Sequence, residues 1–463
     1  MTDFAPLLAA DRCEDARDLF VLAPSEVEAW VARAAAGALA AAAHFAGKAD
    51  QLLLVPADGD VVAALGLGET SLGTWSLAKA AETLPAGRYR LRGGDGTPLA
   101  PGAAALGWLL AQHRFTRYKR ADEERGAHIL LTPDPARIDD TVREAAAVAL
   151  VRDMVDTPAL DMGPAEIEAE AARIAGRFDA VLTVTRGAEL EAGFPMIHAV
   201  GMAAIRERAP RLIEVECGNP AHPRVAIVGK GVVFDTGGLD IKPSSGMRLM
   251  KKDMGGAAHA LALAELVMAA RLPVRLHLLV PTVENAISGA AFRPGDVLRS
   301  RQGLMVEIGN TDAEGRLILG DALTRAGEGD PALLIDFATL TGAARVALGP
   351  DLPALFANDE ALAAEALAAG LTTDDPLWRL PLHPGYRDML KSDIADMTNA
   401  PEGGFAGAVT AALFLERFVR AGVPWLHLDT FAWRPTAKPG RPKGGEALGL
   451  RALWRLLQDR FPR

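Results

Sequence analysis

Three short stretches of the chain gather side chains capable of chemistry. The first reads Gly229-Lys230-Gly231-Val232-Val233-Phe234-Asp235-Thr236-Gly237-Gly238 and continues into Ile241-Lys242-Pro243. Its glycines allow close backbone approach and unusual dihedrals around Lys230 and Asp235. The Gly-Lys pair is not a phosphate-binding P-loop, because it lacks the preceding glycine spacing and the following Ser or Thr. The second stretch is Met250-Lys251-Lys252-Asp253-Met254-Gly255-Gly256, where an Asp ahead of a helix reads, taken alone, as an N-cap. The third is Asn310-Thr311-Asp312-Ala313-Glu314-Gly315-Arg316-Leu317, in which two acids and an arginine alternate ahead of apolar Leu317-Ile318-Leu319. Alone, it reads as a solvated polar turn. The stretches follow apolar strand patterns, and open α/β sheets bind ligands at the carboxyl ends of their strands.

Taken together, the segments VGKGVVFDTGG, DIKPS, MKKDMGG, RPGDV and NTDAEGRLILGDAL resemble the leucine aminopeptidase (cytosol aminopeptidase) family, in its order and with its spacings. The resemblance runs from about Arg152 to the C-terminus. It implies a metal-dependent aminopeptidase in which Lys230, Asp235, Asp253, Asp312 and Glu314 ligate two divalent ions, Asp235 and Glu314 bridging them. It implies catalytic roles for Lys242 and Arg316, with bicarbonate held at Arg316 as general base; a structural salt bridge is the alternative for that arginine. A side-chain pocket of Met250, Thr339, Leu340 and Gly342 is implied, and with it peptide substrates with Leu- or Met-like first residues.

Charge supports the metal assignment. Four crowded carboxylates repel one another and are driven to protonate unless cations are present. Two dications would neutralise them and, by disfavouring an ammonium nearby, let Lys230 bind as a neutral amine. Oxygen donors with one nitrogen and no thiolate suit Zn, Mn, Co or Mg, with Zn or Mn expected. Two such ions activate a shared water as the nucleophile, while Lys242 stabilises the developing oxyanion. The chain departs from the family where Ala-Gly usually follows the late His-Leu-Asp strand. It reads His427-Leu428-Asp429-Thr430-Phe431-Ala432-Trp433, which reshapes the pocket wall, as does Gly440-Arg441-Pro442-Lys443-Gly444-Gly445.

The elements that must position these groups are α/β in pattern. In the first part, an Ala-rich helix is expected over 24–46 with Ser25 as N-cap, then strands over 51–55, 61–65 and 128–131. A long helical pattern over 137–155 leads on, followed by a helix over 164–177. Apolar strands over 225–228, 274–280, 332–337 and 425–428 then alternate with helices, the small-residue helix 255–270 among them. That favours a mostly parallel sheet covered by helices. The expectation is a smaller N-terminal α/β domain over 1–136 and a catalytic domain over 137–463, with 137–157 as linking helix.

With 463 residues, half of them hydrophobic, two well-buried cores are expected, and the 5% aromatic content points to packing by small residues. The net charge of -10 weighs against nucleic acid. Cys13 and Cys217 fit no disulfide framework and no metal spacing, consistent with a reducing compartment. The first twenty residues do not read as a signal peptide, and the alanines at 34–43 are too few to cross a bilayer, so the cytoplasm is expected and no membrane. His259 and His427 read as packed core residues, and the resemblance further implies a homohexamer. The rivals are a DNA-binding protein and a dipeptidase on the same metals.

Overall fold

The computed structural model describes residues 2–33, 44–57, 60–119 and 126–462. The chain divides into two compact units, Met1–Ala149 with Thr436–Lys443, and Leu150–Pro435 with Gly444–Arg463. The changeover falls inside the long helix Ile138–Asp156.

The smaller unit is built on six strands: β1 (Leu8–Ala10), β2 (Arg17–Leu22), β3 (Leu52–Ala57), β4 (Asp60–Gly66), β5 (Gly87–Arg92) and β6 (His128–Thr132). Their order is β1-β6-β5-β2-β4-β3, and all neighbours are parallel except β3 and β4. Leu22, Trp30, Phe45, Leu53, Val55 and Ala64 form a core on this sheet. The helix expected over 24–46 is described as Pro24–Arg33; residues 34–43 lie outside the described residues. It does not reach Ala46, because His44 adopts a left-handed φ of 52°. Ser25 is not its N-cap: the helix opens at Pro24, and Glu26 accepts from the Ala23 N–H at 2.7 Å. Gly440 and Arg441 belong to this unit, Gly440 N–H donating to Glu82 and Arg441 stacking on Trp75.

The larger unit carries β7 (Val181–Arg186), β8 (Arg211–Cys217), β9 (Arg224–Gly229), β10 (Gly231–Asp235) and β11 (Arg275–Asn285). After them come β12 (Val297–Arg299), β13 (Met305–Glu307), β14 (Leu333–Ala338), β15 (Ala354–Ala357), β16 (Trp378–Arg379), β17 (Met397–Thr398) and β18 (Trp425–Asp429). Nine of these make one sheet in the order β16-β15-β18-β14-β9-β11-β8-β7, with β10 also on β11. The centre, β18-β14-β9-β11, is parallel, and antiparallel joins occur at β15–β18, β11–β8 and β8–β7. The long strand β11 pairs with β9 along Arg275–Leu279 and with β10 from Thr282 onward, so Lys230 sits at the step between two strands.

Both faces of β9 are dry. Ala226 and Val228 share a core with Leu317, Ile318, Leu319 and Leu323 of the helix Glu314–Gly327, while Val225 and Ile227 alternate to the other side, fully buried. The helix Gly255–Ala269 packs on β9, β11 and β14. It comes close because it is made of small residues: a Cβ on Gly256 would stand 2.2 Å from the Phe337 carbonyl oxygen. His259 is buried there, bonded to the Gly255 carbonyl and accepting from the Leu448 N–H. His427 is buried in β18 beside Asp336, at 2.6 Å. Among the described residues, no helix is long and apolar enough to cross a membrane.

Candidate metal centre

The Lys230 backbone is clamped by its neighbours, its N–H donating to Phe337 O of β14 (3.0 Å) and its carbonyl accepting from Ala257 N–H (2.8 Å). β10 delivers Asp235 at its end. Gly237 and Gly238 then turn the chain with φ of 86° and 63°, a region that favours glycine, and Lys242 N–H closes the turn on Thr236 O at 2.9 Å. Asp253 lies in the 3-10 turn Met250–Met254 and is not an N-cap. Its Oδ2 accepts from Lys230 Nζ (2.6 Å) and its Oδ1 from Thr339 Oγ1 (2.9 Å). Asp312 and Glu314 open the helix Glu314–Gly327. Gly315 leaves room beside them for Lys230, whose Cε a Cβ there would meet at 2.4 Å.

These elements bring carboxylate oxygens of Asp235, Asp312 and Glu314 within 4.8 Å of one another. Asp253 joins the group through Lys230, whose Nζ lies 3.0 Å from Glu314 Oε1. Lys242 Nζ stands 2.8 Å from Asp235 Oδ2 and contacts Asp312 Oδ1. Burial and then the Asp235 charge push the Glu314 carboxyl up to about 8 and that of Asp312 up to about 6. Burial works against both ammonium groups, yet Asp253, Glu314 and Asp235 raise Lys230, and Asp235 and Glu314 raise Lys242. Burial also opposes the Asp253 carboxylate, but Lys230 and Lys252 hold it below the usual range.

The protein alone is therefore short of positive charge here, and burial beside Asp235 makes Glu314 hold its proton more readily than an ordinary carboxyl. Among the described residues, Asp312 Oδ1 and Glu314 Oε1 face only the ammonium groups of Lys242 and Lys230 respectively. Hard, oxygen-rich donors converging within 4.8 Å of one another fit divalent ions. Dications in the cluster would reverse the balance at Lys230, favouring its neutral amine over the ammonium.

A cavity of about 480 Å³ opens on the cluster. Lys230, Asp235, Lys242, Asp253, Asp312 and Arg316 line it, as do Met250, Thr339, Leu340 and Gly342. Glu314, 1% exposed, is outside that lining. Arg316 makes no ion pair among the described residues, so the salt-bridge alternative is not what it does. Its Nη1 donates to Asn399 O (2.6 Å), its buried Nε has no acceptor, and burial lowers its pKa to about 10.

Several positioning residues escaped the sequence reading. Asn399, just after β17, accepts from Gly309 and Asn310 N–H and donates to Asn310 and Ala313 carbonyls, pinning the loop that carries Asp312. The small sheet of β12, β13 and β17 aligns these two segments. Asn285 Nδ2 holds Asp235 Oδ1 at 2.8 Å. Asp240 and Thr311 lock the Gly237 turn to the same loop. Asp429 accepts from Leu340 N–H and from the Thr341 N–H and hydroxyl, fixing the cap of the helix Gly342–Leu348. Partners lie some 50 to 90 positions away in each of the first two cases, so no local pattern announces them.

Comparison with known proteins decides the family. The sequence model of the cytosol aminopeptidase family catalytic domain matches residues 149–454, and that of the M17 aminopeptidase N-terminal domain matches residues 18–132. The chain belongs to the cytosol aminopeptidase family. As a cytosol aminopeptidase it is a metal-dependent hydrolase of the leucyl aminopeptidase type. A probable cytosol aminopeptidase of Roseiflexus castenholzii is 42% identical over 377 residues, 77% of this chain and 76% of that protein. The crystal structure of the cytosol aminopeptidase of Coxiella burnetii superposes with a TM-score of 0.92 at 42% identity, covering 98% of this chain and 99% of that one. The bottromycin maturation enzyme in complex with Mn gives a TM-score of 0.85 at 32% identity, over 98% and 99% of the two chains.

Proposed function

We propose that this cytosol aminopeptidase removes Leu- or Met-like first residues from peptides, using two divalent ions held by Lys230, Asp235, Asp253, Asp312 and Glu314. The observation that carries this reading is the Asp235, Asp312 and Glu314 cluster, its carboxylate oxygens within 4.8 Å of one another, opening on a cavity. Zn or Mn suits the donors, and the Mn complex of the bottromycin enzyme supports Mn. When bound, two such ions anchor a free α-amine, polarise the adjacent carbonyl and supply hydroxide near neutral pH. Asp235 and Glu314, both buried, would be the carboxylates shared between the two ions.

Lys242, with 16% of its side chain exposed, presents a positive donor to the cavity, suited to a developing oxyanion. Arg316 offers a donor whose direction is set by Asn399, and we assign bicarbonate to it as the anion that would supply a base. Met250, Leu340 and Gly342 give the first side chain an apolar wall with room above it. The same reading places the chemistry in 137–463, with the N-terminal domain over 1–136, in a cytoplasmic homohexamer. The net charge of -10 weighs against nucleic acid as a partner.

The test is steady-state hydrolysis of Leu-p-nitroanilide by Lys242→Ala and Asp312→Ala. Each should lose at least 100-fold in kcat, with Asp312→Ala also losing bound metal. Wild-type turnover in either variant would overturn the scheme.

A further inference from the structure

The wall expected to receive the first side chain carries two cations that the catalytic scheme does not use. Lys252 lies two residues after Met250 in the same 3-10 turn, and Arg345 lies three residues after Gly342 in the same helix. Both line the cavity. Lys252 is 5% exposed, yet its ammonium makes no hydrogen bond and no ion pair among the described residues. Its neighbour Lys251 differs, donating to the Asp156 carbonyl. Arg345 is exposed and likewise has no carboxylate partner among the described residues. Lys252 Nζ lies 5.1 Å from the Phe431 ring centroid and Arg345 Cζ 5.0 Å from the same centroid, so one aromatic ring holds both cations at the cavity.

The acids nearby are already engaged. Both oxygens of Asp429 accept from Leu340 and Thr341, and both oxygens of Asp253 accept from Lys230 and Thr339. A buried amine is costly to leave without an acceptor, and ring contacts offer it none. An anionic or strongly accepting group on the substrate would suit both cations. Met250, Leu340 and Leu352 on the same cavity suit an apolar stem, while Lys252 and Arg345 suit its tip.

We propose that Lys252 and Arg345, spaced by Phe431, are specificity-determining residues that admit N-terminal glutamate, its two methylenes on the apolar wall and its carboxylate between the two cations. The proposal rests on the aminopeptidase reading and names a substrate class for that same pocket. Arg345→Gln removes the exposed cation and Lys252→Met keeps the stem of the buried one, so both changes are mild for folding.

The experiment compares kcat/KM for the p-nitroanilides of Glu, Gln, Leu and Met with the Mn-loaded wild-type enzyme and these two variants. Glu should exceed Gln by tenfold or more in the wild type. The Glu-to-Leu ratio should fall at least tenfold in each variant, with the Gln-to-Leu ratio falling far less. If Leu is cleaved and Glu is refused, or if the Glu-to-Leu ratio is unmoved by both variants, the proposal is wrong and the aminopeptidase reading stands. If neither Leu nor Glu is cleaved by folded, metal-loaded enzyme, both fall together.

Discussion

Replacing Gly315 by alanine adds one methyl group and should separate folding from chemistry. The added Cβ would lie 2.4 Å from Lys230 Cε and 2.8 Å from Nζ. Carbon atoms rest at about 3.5–4.0 Å, so the lysine tip must retreat by roughly 1 Å or more. A displacement of about 1 Å at a reacting centre costs on the order of 100-fold in rate. The fold has less to lose. Gly315 lies in a helix without positive φ, where alanine gains up to about 1 kcal/mol over glycine. Loss of the Lys230–Asp253 hydrogen bond costs about 1.5–3 kcal/mol, so the net destabilisation is roughly 0.5–2 kcal/mol. The assay is kcat/KM for Leu-p-nitroanilide at saturating Mn, beside bound-metal analysis and thermal unfolding. Gly320→Ala in the same helix is the control, its Cβ meeting only the movable tip of Met196 and the ring of Phe418. Gly315→Ala should lose about 100-fold in activity with a near-normal melt, and Gly320→Ala should not. Full activity in Gly315→Ala would refute the placement of Lys230 in the centre.

Three further outcomes follow from positioning contacts. Asn399→Ala removes four bonds from the Gly309–Ala313 loop, and should cost about 3 kcal/mol of stability and 10- to 100-fold in Mn affinity, read by calorimetry. Asp321→Ala leaves the N–H groups of Met196, Ile197 and Arg301 without their acceptor; it should cost about 3 kcal/mol or more in denaturant unfolding while Mn affinity stays unchanged. Burial opposes a charged His427, but the Asp336 carboxylate prevails and raises its pKa above the ordinary histidine value. A raised histidine stabilises fully below the unfolded value of about 6.5 and loses that contribution as pH climbs through the folded pKa. The gap in melting temperature between wild type and His427→Gln should therefore narrow from pH 6 toward alkaline pH. A gap independent of pH would mean that His427 stays neutral.

What could be read from the chain is what local pattern encodes. Apolar runs bounded by glycine and proline gave β9, β14 and β18 to within a residue or two, and the helix Pro164–Arg177 at both ends, whereas β11, expected to stop at Val280, runs on to Asn285. Glycines around Lys230 and Asp235 signalled close approach, and Gly237, Gly238 and Gly315 are where it occurs. Other features arise only when distant segments meet. The role of Asn399 exists because β13 and β17 pair, which neither short strand announces. Asp253 looked like a cap because it precedes a helix, yet Lys230 and Thr339 claim its oxygens. The helix over 24–46 was overextended because its alanines favour helix at every position, while the left-handed turn at His44 carries no glycine to mark it.

The most direct test of the central claim is hydrolysis of Leu-p-nitroanilide after chelation and again after adding Mn or Zn, beside the N-acetylated substrate. Activity lost on chelation, restored by metal and absent with the acetylated substrate is the result the site predicts. Undiminished activity in metal-free enzyme, or equal cleavage of the acetylated substrate, would contradict it.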